Sequence, residues 1–267
     1  MTDLVALVSR HLHRVHALQE MATKAKLLPL VQGVQRWQTL RMQATHEGHI
    51  NDPRTAPALA FFVEQIYGPQ DFSQRDADIQ RVVPKMHKYM PSQALRSLES
   101  ALRLHALSYE LDYTLALALK SMAQAADIPC AKTSIVINSQ TYAAAYCKDN
   151  NANLRQEQIS LLIELGENLS QAVAIKGVAM MLSLSKHPAR MKGLQALHLF
   201  LHDGYKAFKK IPNSQRFMDN IVSKEARLVA ILFSKQFSEQ VFSQQEFSQQ
   251  GINPLPCLPS IEIPIEA

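Results

Sequence analysis

Residues 61–78 read Phe61-Phe62-Val63-Glu64-Gln65-Ile66-Tyr67-Gly68-Pro69-Gln70-Asp71-Phe72-Ser73-Gln74-Arg75-Asp76-Ala77-Asp78. Aromatic, turn and acidic residues coincide here more densely than anywhere else in the chain. Gly68-Pro69 predicts the end of a helix, because glycine accepts a left-handed C-cap and proline cannot continue the hydrogen-bond ladder. Asp71 or Ser73 is then placed to cap the next helix, with Asp76 and Asp78 supplying the negative sign that a helix N-terminus favours. Ile79, Val82, Val83 and Met86 follow at i, i+3, i+4 and i+7 as one apolar face. Pro84 inside that face implies a kink or a restart. The stretch is a helix–turn–helix corner, with two expectations attached. Either its charges are caps and pairs that hold the corner, or Glu64, Tyr67, Asp71, Arg75 and Asp76 form a polar binding site around it.

Working outward, the composition supports helices throughout. The chain has 267 residues, 47% of them hydrophobic, enough for one large domain with an ample core. Eight glycines fall well below the average share of about 7%, which argues against nucleotide-binding α/β folds. No run approaches the roughly 20 apolar residues of a membrane helix, and the N-terminus lacks the pattern of a signal peptide. Three cysteines without metal-ligand spacing suit a reducing cytoplasm. A net charge of +5 is modest for this length and does not by itself indicate nucleic acid.

Apolar periodicity then places the remaining helices. Residues 3–26 carry Leu4, Val8, His11, Val15 and Leu18 on one side; a second helix after Pro29 carries Leu30, Val34, Trp37 and Leu40 or Arg41. It is expected to end at His46–His49, before the loop Asn51-Asp52-Pro53. Pro91 opens the longest helix, 92–127, with Leu104, Leu107, Leu111, Leu115, Ala118 and Met122 as its stripe. His105, Ser108 and Asp112 line the margin of that stripe. His105 and Asp112 lie about 10 Å apart along one helix, too far for a catalytic pair. Ser134–Ile137 is β-branched and predicts an extended segment. Three helices follow: one from Leu154 to about Leu184, one between His187-Pro188 and Ile211-Pro212, and one through Phe217, Ile221, Leu228 and Ile231.

Segments spread along the chain carry a resemblance. FFVEQIYGPQDF (61–72) with Arg75-Asp76, Tyr142-Ala143-Ala144-Ala145-Tyr146, Arg155-Gln156-Glu157-Gln158-Ile159 and Gly204-Tyr205-Lys206-Ala207-Phe208 resemble the uncharacterised bacterial FFLEELY-motif protein family. Val63, Gln65 and Ile66 depart from the seven letters of that name, and Gln65 removes a carboxylate. The resemblance spans roughly residues 28–235 and implies one helical unit of bacterial, intracellular origin. It implies no activity.

Other candidates are weaker. His198 and His202 stand at i, i+4 as in zinc proteases, without the intervening glutamate; His46, Glu47 and His49 lack a third anchor. Neither metal nor cofactor is expected. From Lys186 to Arg216 seven Lys or Arg face a single acid, Asp203. Lys186, Arg190, Lys192, Lys206, Lys209 and Lys210 thus form a candidate basic face, either a solvated helix end or a contact for an anionic partner.

The sequence predicts an all-α protein: a single multi-helix domain of about seven or eight packed helices over 1–246. Its halves, 1–128 and 150–246, meet near 129–150. A Pro-rich extended or disordered tail covers 247–267, after FSxQx repeats whose period of five fits neither helix nor strand. The expected function is non-enzymatic partner binding in the cytoplasm, through the Glu64–Asp76 corner or the basic face. The alternatives are a helical enzyme or small-ligand binder at the corner, and a nucleic-acid-associated protein.

Overall fold

A computed structural model describes residues 2–86, 90–125, 134–234 and 254–264. Among them are eleven helices: α1 (Thr2–Lys24), α2 (Leu28–Thr45), α3 (Glu47–Ile50), α4 (Ala56–Gln65), α5 (Ser73–Met86), α6 (Ser92–Ala125), α7 (Ser139–Lys148), α8 (Ala152–Ala174), α9 (Val178–Met191), α10 (Gln195–Lys209) and α11 (Ser214–Leu232). Two short strands, β1 (Ser134–Ile137) and β2 (Ile261–Pro264), complete the set. The all-α reading holds, in one domain.

The architecture is built on α6, whose 34 residues span about 50 Å at the helical rise. α1, α2, α7 and α8 all pack on it. One apolar cluster surrounds its N-terminal part, with Phe62, Leu104, Leu107, Leu165 and Phe208 at its centre. A second surrounds its C-terminal part, with Trp37, Leu115, Ile137, Tyr142 and Leu232. Each draws on residues from both sides of position 130, so neither half of the chain owns a core. Enclosed in this way, α6 is buried on more than the expected stripe: His105, Ser108 and Asp112 are 4%, 2% and 3% exposed. What the spacing marks as a polar margin is interior.

Several boundaries differ from the periodicity, each for a local reason. The segment expected to run from Leu154 to Leu184 is two helices, α8 and α9. They are divided at Gly177, whose φ of 93° is a left-handed conformation that glycine adopts without strain. His187-Pro188 does not break the chain; α9 runs through it to Met191. α5 likewise continues across Pro84. Both prolines are exposed, as are Leu184 and Gln80 four residues before them, so each proline lies on the solvent side of its helix, where losing one hydrogen bond costs least. The break after α9 comes instead at Gly193, φ 62°. Gly68 does not take the left-handed cap expected of it. Its use is closeness: a Cβ there would lie 2.8 Å from the Glu64 carbonyl oxygen and 3.0 Å from that of Val63. The residues after His46 do not unwind at once, because Glu47–Ile50 form one further helical turn.

α7 has no counterpart in the periodicity. It starts from a capping box in which the Asn138 side chain accepts from the Thr141 amide and the Thr141 hydroxyl accepts from the Asn138 amide. The described part of the tail is extended, as expected, but docks on its own chain. β2 pairs antiparallel with β1, Ile263 opposite Ile135. Ile263 and Leu255 are buried. A Cβ at Gly33 would lie 2.6 Å from Ile263 Cδ1, so the small residue on α2 is what lets the strand lie close. The FSxQx repeats and residues 126–133 lie outside the described residues.

Candidate functional site

The corner residues do not meet around one ligand-sized space. Glu64 is exposed, and Asp71, also exposed, accepts the Ser73 amide at 2.9 Å as a turn cap. Arg75 is buried. Its Nε donates to Asp76 Oδ1 at 2.8 Å, its Nη1 donates to the Gln65 carbonyl at 2.9 Å, and its plane stacks on Phe72 at 4.0 Å. Phe200 of α10 lies on it from further away, at 5.1 Å. Burial pulls the guanidinium pKa down and Asp76 opposes that shift; burial raises the Asp76 carboxyl, opposed by Arg75. Arg75 therefore pins the end of α4 to the start of α5 and to α10. His105 Nδ1 donates to the carbonyl of Ile66 at 2.8 Å, and burial holds this ring neutral, its pKa lowered to about 3.

Tyr67, the last letter of the motif, turns inward to a polar centre between the two apolar clusters. Its hydroxyl pairs with Ser108, and Gln158 Nε2 donates to the same Ser108 oxygen at 2.8 Å. Arg155 Nη1 donates to Gln158 Oε1 at 3.3 Å, and the guanidinium lies over the Tyr146 ring at 4.4 Å. Asp112 is held by the amides of Gln38 and Gln35. Alongside, Arg41 Nη1 donates to both oxygens of Glu225 at 2.6 Å, and His46 Nε2 donates to Glu225 at 2.9 Å. Trp37 stacks on Tyr142 at 4.3 Å.

The centre separates its two carboxyls electrostatically. Burial would raise both. At Glu225, Arg41 and the hydrogen bonds from His46 and Arg41 overcome it and hold the pKa at about 2. At Asp112 burial prevails over Arg155 and the two glutamines, and the carboxyl is pushed up to about 7. Arg41 Nε, Arg155 Nη2, His46 Nδ1, Trp37 Nε1 and the Tyr109 hydroxyl are buried without hydrogen-bond partners among the described residues. The named residues Tyr67, Ser108, Asp112, Tyr142, Arg155 and Glu225 are at most 8% exposed, so the centre lies beneath the surface. It fastens α2, α6, α7, α8 and α11 together. Composition and spacing single out none of Arg41, Glu225 or Arg155 as partners; only their convergence does.

The basic segment forms an antiparallel hairpin, α9 and α10. His198 Nε2 donates to the Leu182 carbonyl at 2.8 Å, and Lys209 Nζ reaches the Val173 carbonyl at 3.3 Å. Lys186, Arg190 and Lys192 sit at its tip, whereas Lys206, Lys209 and Lys210 sit at its base, about 20 Å away along α10. All six are exposed. The cationic run is therefore two patches, not one face. His198 is buried and His202 pairs with Asp203, at 3.0 Å. Among the described residues no group of three His, Cys, Asp or Glu is arranged to hold a metal, and no helix is long and apolar enough to cross a membrane.

Beneath the hairpin lies a cavity of about 480 Å³, walled by α4, α5, α6, α8, α9 and α10. Its lining is apolar: Leu98, Leu169, Val173, Met181, Leu182 and Leu201 are typical. α9 packs mainly on α10, and it turns Met180, Leu184 and Met191 outward at 65%, 71% and 75% exposure. The helix is thus apolar on both sides, a thin wall between cavity and solvent, with a glycine of positive φ at each end.

A family model for a domain of unknown function, DUF8198, matches residues 17–239. The chain belongs to the DUF8198 family. No curated protein and no solved structure matches it. In this DUF8198 chain the four segments that carry the sequence resemblance divide between the two interior features. Tyr67, Tyr142, Tyr146, Arg155 and Gln158 build the polar centre, while Gly204 and Tyr205 line the cavity. Gly204 is confined by Phe61, whose Cζ would lie 2.8 Å from an added Cβ.

Proposed function

We propose that this chain is a non-enzymatic helical binding protein of the bacterial cytoplasm, of the FFLEELY-motif type. Its binding site is the cavity beneath the α9–α10 hairpin. The observation that carries the reading is the cavity itself: about 480 Å³, within the roughly 300–1,000 Å³ of small-molecule sites, and lined by apolar side chains. Three of its polar wall groups are spent internally. The His198 Nε2 and Ser185 hydroxyl both donate to the Leu182 carbonyl, and Ser97 donates to Gln93. Such walls select for an apolar body rather than for a reacting group.

The corner and the basic segment support the reading as scaffold and rim. Arg75 and Asp76 hold α4, α5 and α10 around the cavity, and Arg81 Nη2 donates to the Gly193 carbonyl at 2.6 Å, tying the hairpin tip to α5. Nucleic-acid binding is not favoured, since the cations are split between the hairpin's two ends. An enzymatic reading through the polar centre would require it to open, because its reactive groups are interior.

The test is binding of N-phenyl-1-naphthylamine, a neutral probe that fluoresces in apolar surroundings. Ala172→Phe on α8 and Ala189→Phe on α9 fill the cavity from opposite walls, and each should weaken binding at least about ten-fold while circular dichroism stays helical. Probe binding unchanged in both variants, or absent from the wild type, refutes the cavity as the site.

A further inference from the structure

We infer that the cavity takes one monomeric long-chain carboxylate, a fatty acid, with its acyl chain inside and its headgroup between Lys85 and Lys192. This rests on the proposed reading of the cavity as a binding site. Three observations point to that ligand.

The first is the sign of the lining. Among the described residues, Lys85 of α5 and Lys192 after α9 are the charged ones that line the cavity, and no carboxylate does. Both lysines are exposed, and neither makes an ion pair among the described residues. An anion there gains two cations without displacing an internal partner.

The second is that both lysines mark one mouth. Arg81 stands one turn before Lys85 on the same face of α5, and its guanidinium is bound to Gly193, the neighbour of Lys192. Lys85 and Lys192 both line the cavity, and the Arg81 bond ties their two segments together at the hairpin tip. The other end of the hairpin has no lysine in the lining. The site is polar at one end and apolar along its depth, the pattern of a single-chain amphiphile.

The third is that, apart from the Tyr205 hydroxyl and the two lysines, the described walls offer the ligand's body no polar side chain that is not already bonded. With His198, Ser97 and Ser185 bonded to backbone carbonyls, a chain carrying hydroxyls or amides along its length would leave them unpaired. An unbranched hydrocarbon has no such groups.

Displacement of N-phenyl-1-naphthylamine by decanoate, dodecanoate, tetradecanoate and hexadecanoate tests the assignment, beside the alcohol of each length. Affinity should rise about four-fold per methylene until the cavity is full, then level off. At low salt each carboxylate should bind about ten-fold more tightly than its alcohol. Lys85→Met with Lys192→Met should abolish that preference, bringing the acid and the alcohol of each length to equal affinity. Probe binding with equal affinity for acid and alcohol, or a preference that survives in the double variant, overturns the inference and leaves the cavity a binding site. A wild type that binds neither probe nor carboxylate overturns both. Protein that sediments with phosphatidylglycerol vesicles, while the free carboxylates fail to displace the probe, points to a membrane headgroup and overturns the inference.

Discussion

Glu225→Gln removes the one carboxylate that Arg41 and His46 share, and the cost follows from the geometry. The guanidinium of Arg41 is buried and donates from one nitrogen to both Glu225 oxygens at 2.6 Å, while its Nε has no partner among the described residues. With a neutral amide opposite, a buried cation is left uncompensated, at a cost of about 3–5 kcal/mol. An independent figure comes from linkage. The Glu225 pKa is held at about 2 against an ordinary 4.5, and that gap corresponds to about 3 kcal/mol. The sign follows from the depression: the folded state binds the proton less tightly than the unfolded one, so this stability is present above pH 4.5 and lost as pH falls through 2. Thermal melts of wild type and Glu225→Gln at pH 7 should differ by on the order of 10 °C. The difference between the two proteins should shrink steadily between pH 5 and pH 2.5. Arg41→Met combined with Glu225→Met should cost less than the sum of the single changes, because the pair leaves together. A single variant within 2 °C of wild type at pH 7, or a difference that does not change with pH, refutes the account of Glu225 as the anchor of the centre.

Asp112 should behave in the opposite sense. Its carboxyl is pushed up to about 7, so the proton favours the fold, and this contribution is present below the unfolded 3.8 and lost as pH rises through 7. Asp112→Asn, always neutral, should match wild type near pH 4 and exceed it at pH 8 by up to about 4 kcal/mol in urea unfolding; a variant weaker at both pH values contradicts this. At the corner, Arg75→Ala and Asp76→Ala should both lower the melting midpoint, since Arg75 carries the Gln65 carbonyl and the Phe72 and Phe200 rings as well as Asp76. The loss should be about 3–5 kcal/mol for Asp76→Ala, which strands the cation; stabilised variants would mark the corner as a strained binding site instead.

How much of this was legible in the chain itself can be followed residue by residue. The helical class, the corner and most helix cores lie in local patterns: apolar residues at i, i+3, i+4 and i+7, and Gly68-Pro69 between two such runs. Arg75 paired with Asp76 was also visible, because the two are adjacent. α7 was not, since Tyr142, Ala143, Ala145 and Tyr146 form too short a period, and the Asn138–Thr141 box that starts it resembles an ordinary turn. The continuation of α9 through Pro188 depends on which side of the helix meets water, and that is settled by packing. The polar centre shows the limit most clearly. Arg41 and Glu225 are 184 positions apart, Gln38 and Asp112 are 74 apart, and no spacing rule connects them. The same holds for β2, whose alternating Ile261 and Ile263 announce a strand without naming β1 as its neighbour. The cavity is further still from the sequence, because it is a space left where six helices fail to meet. A periodic pattern specifies which face of a helix is buried; only the packed fold decides what that face is buried against, and where the packing leaves room.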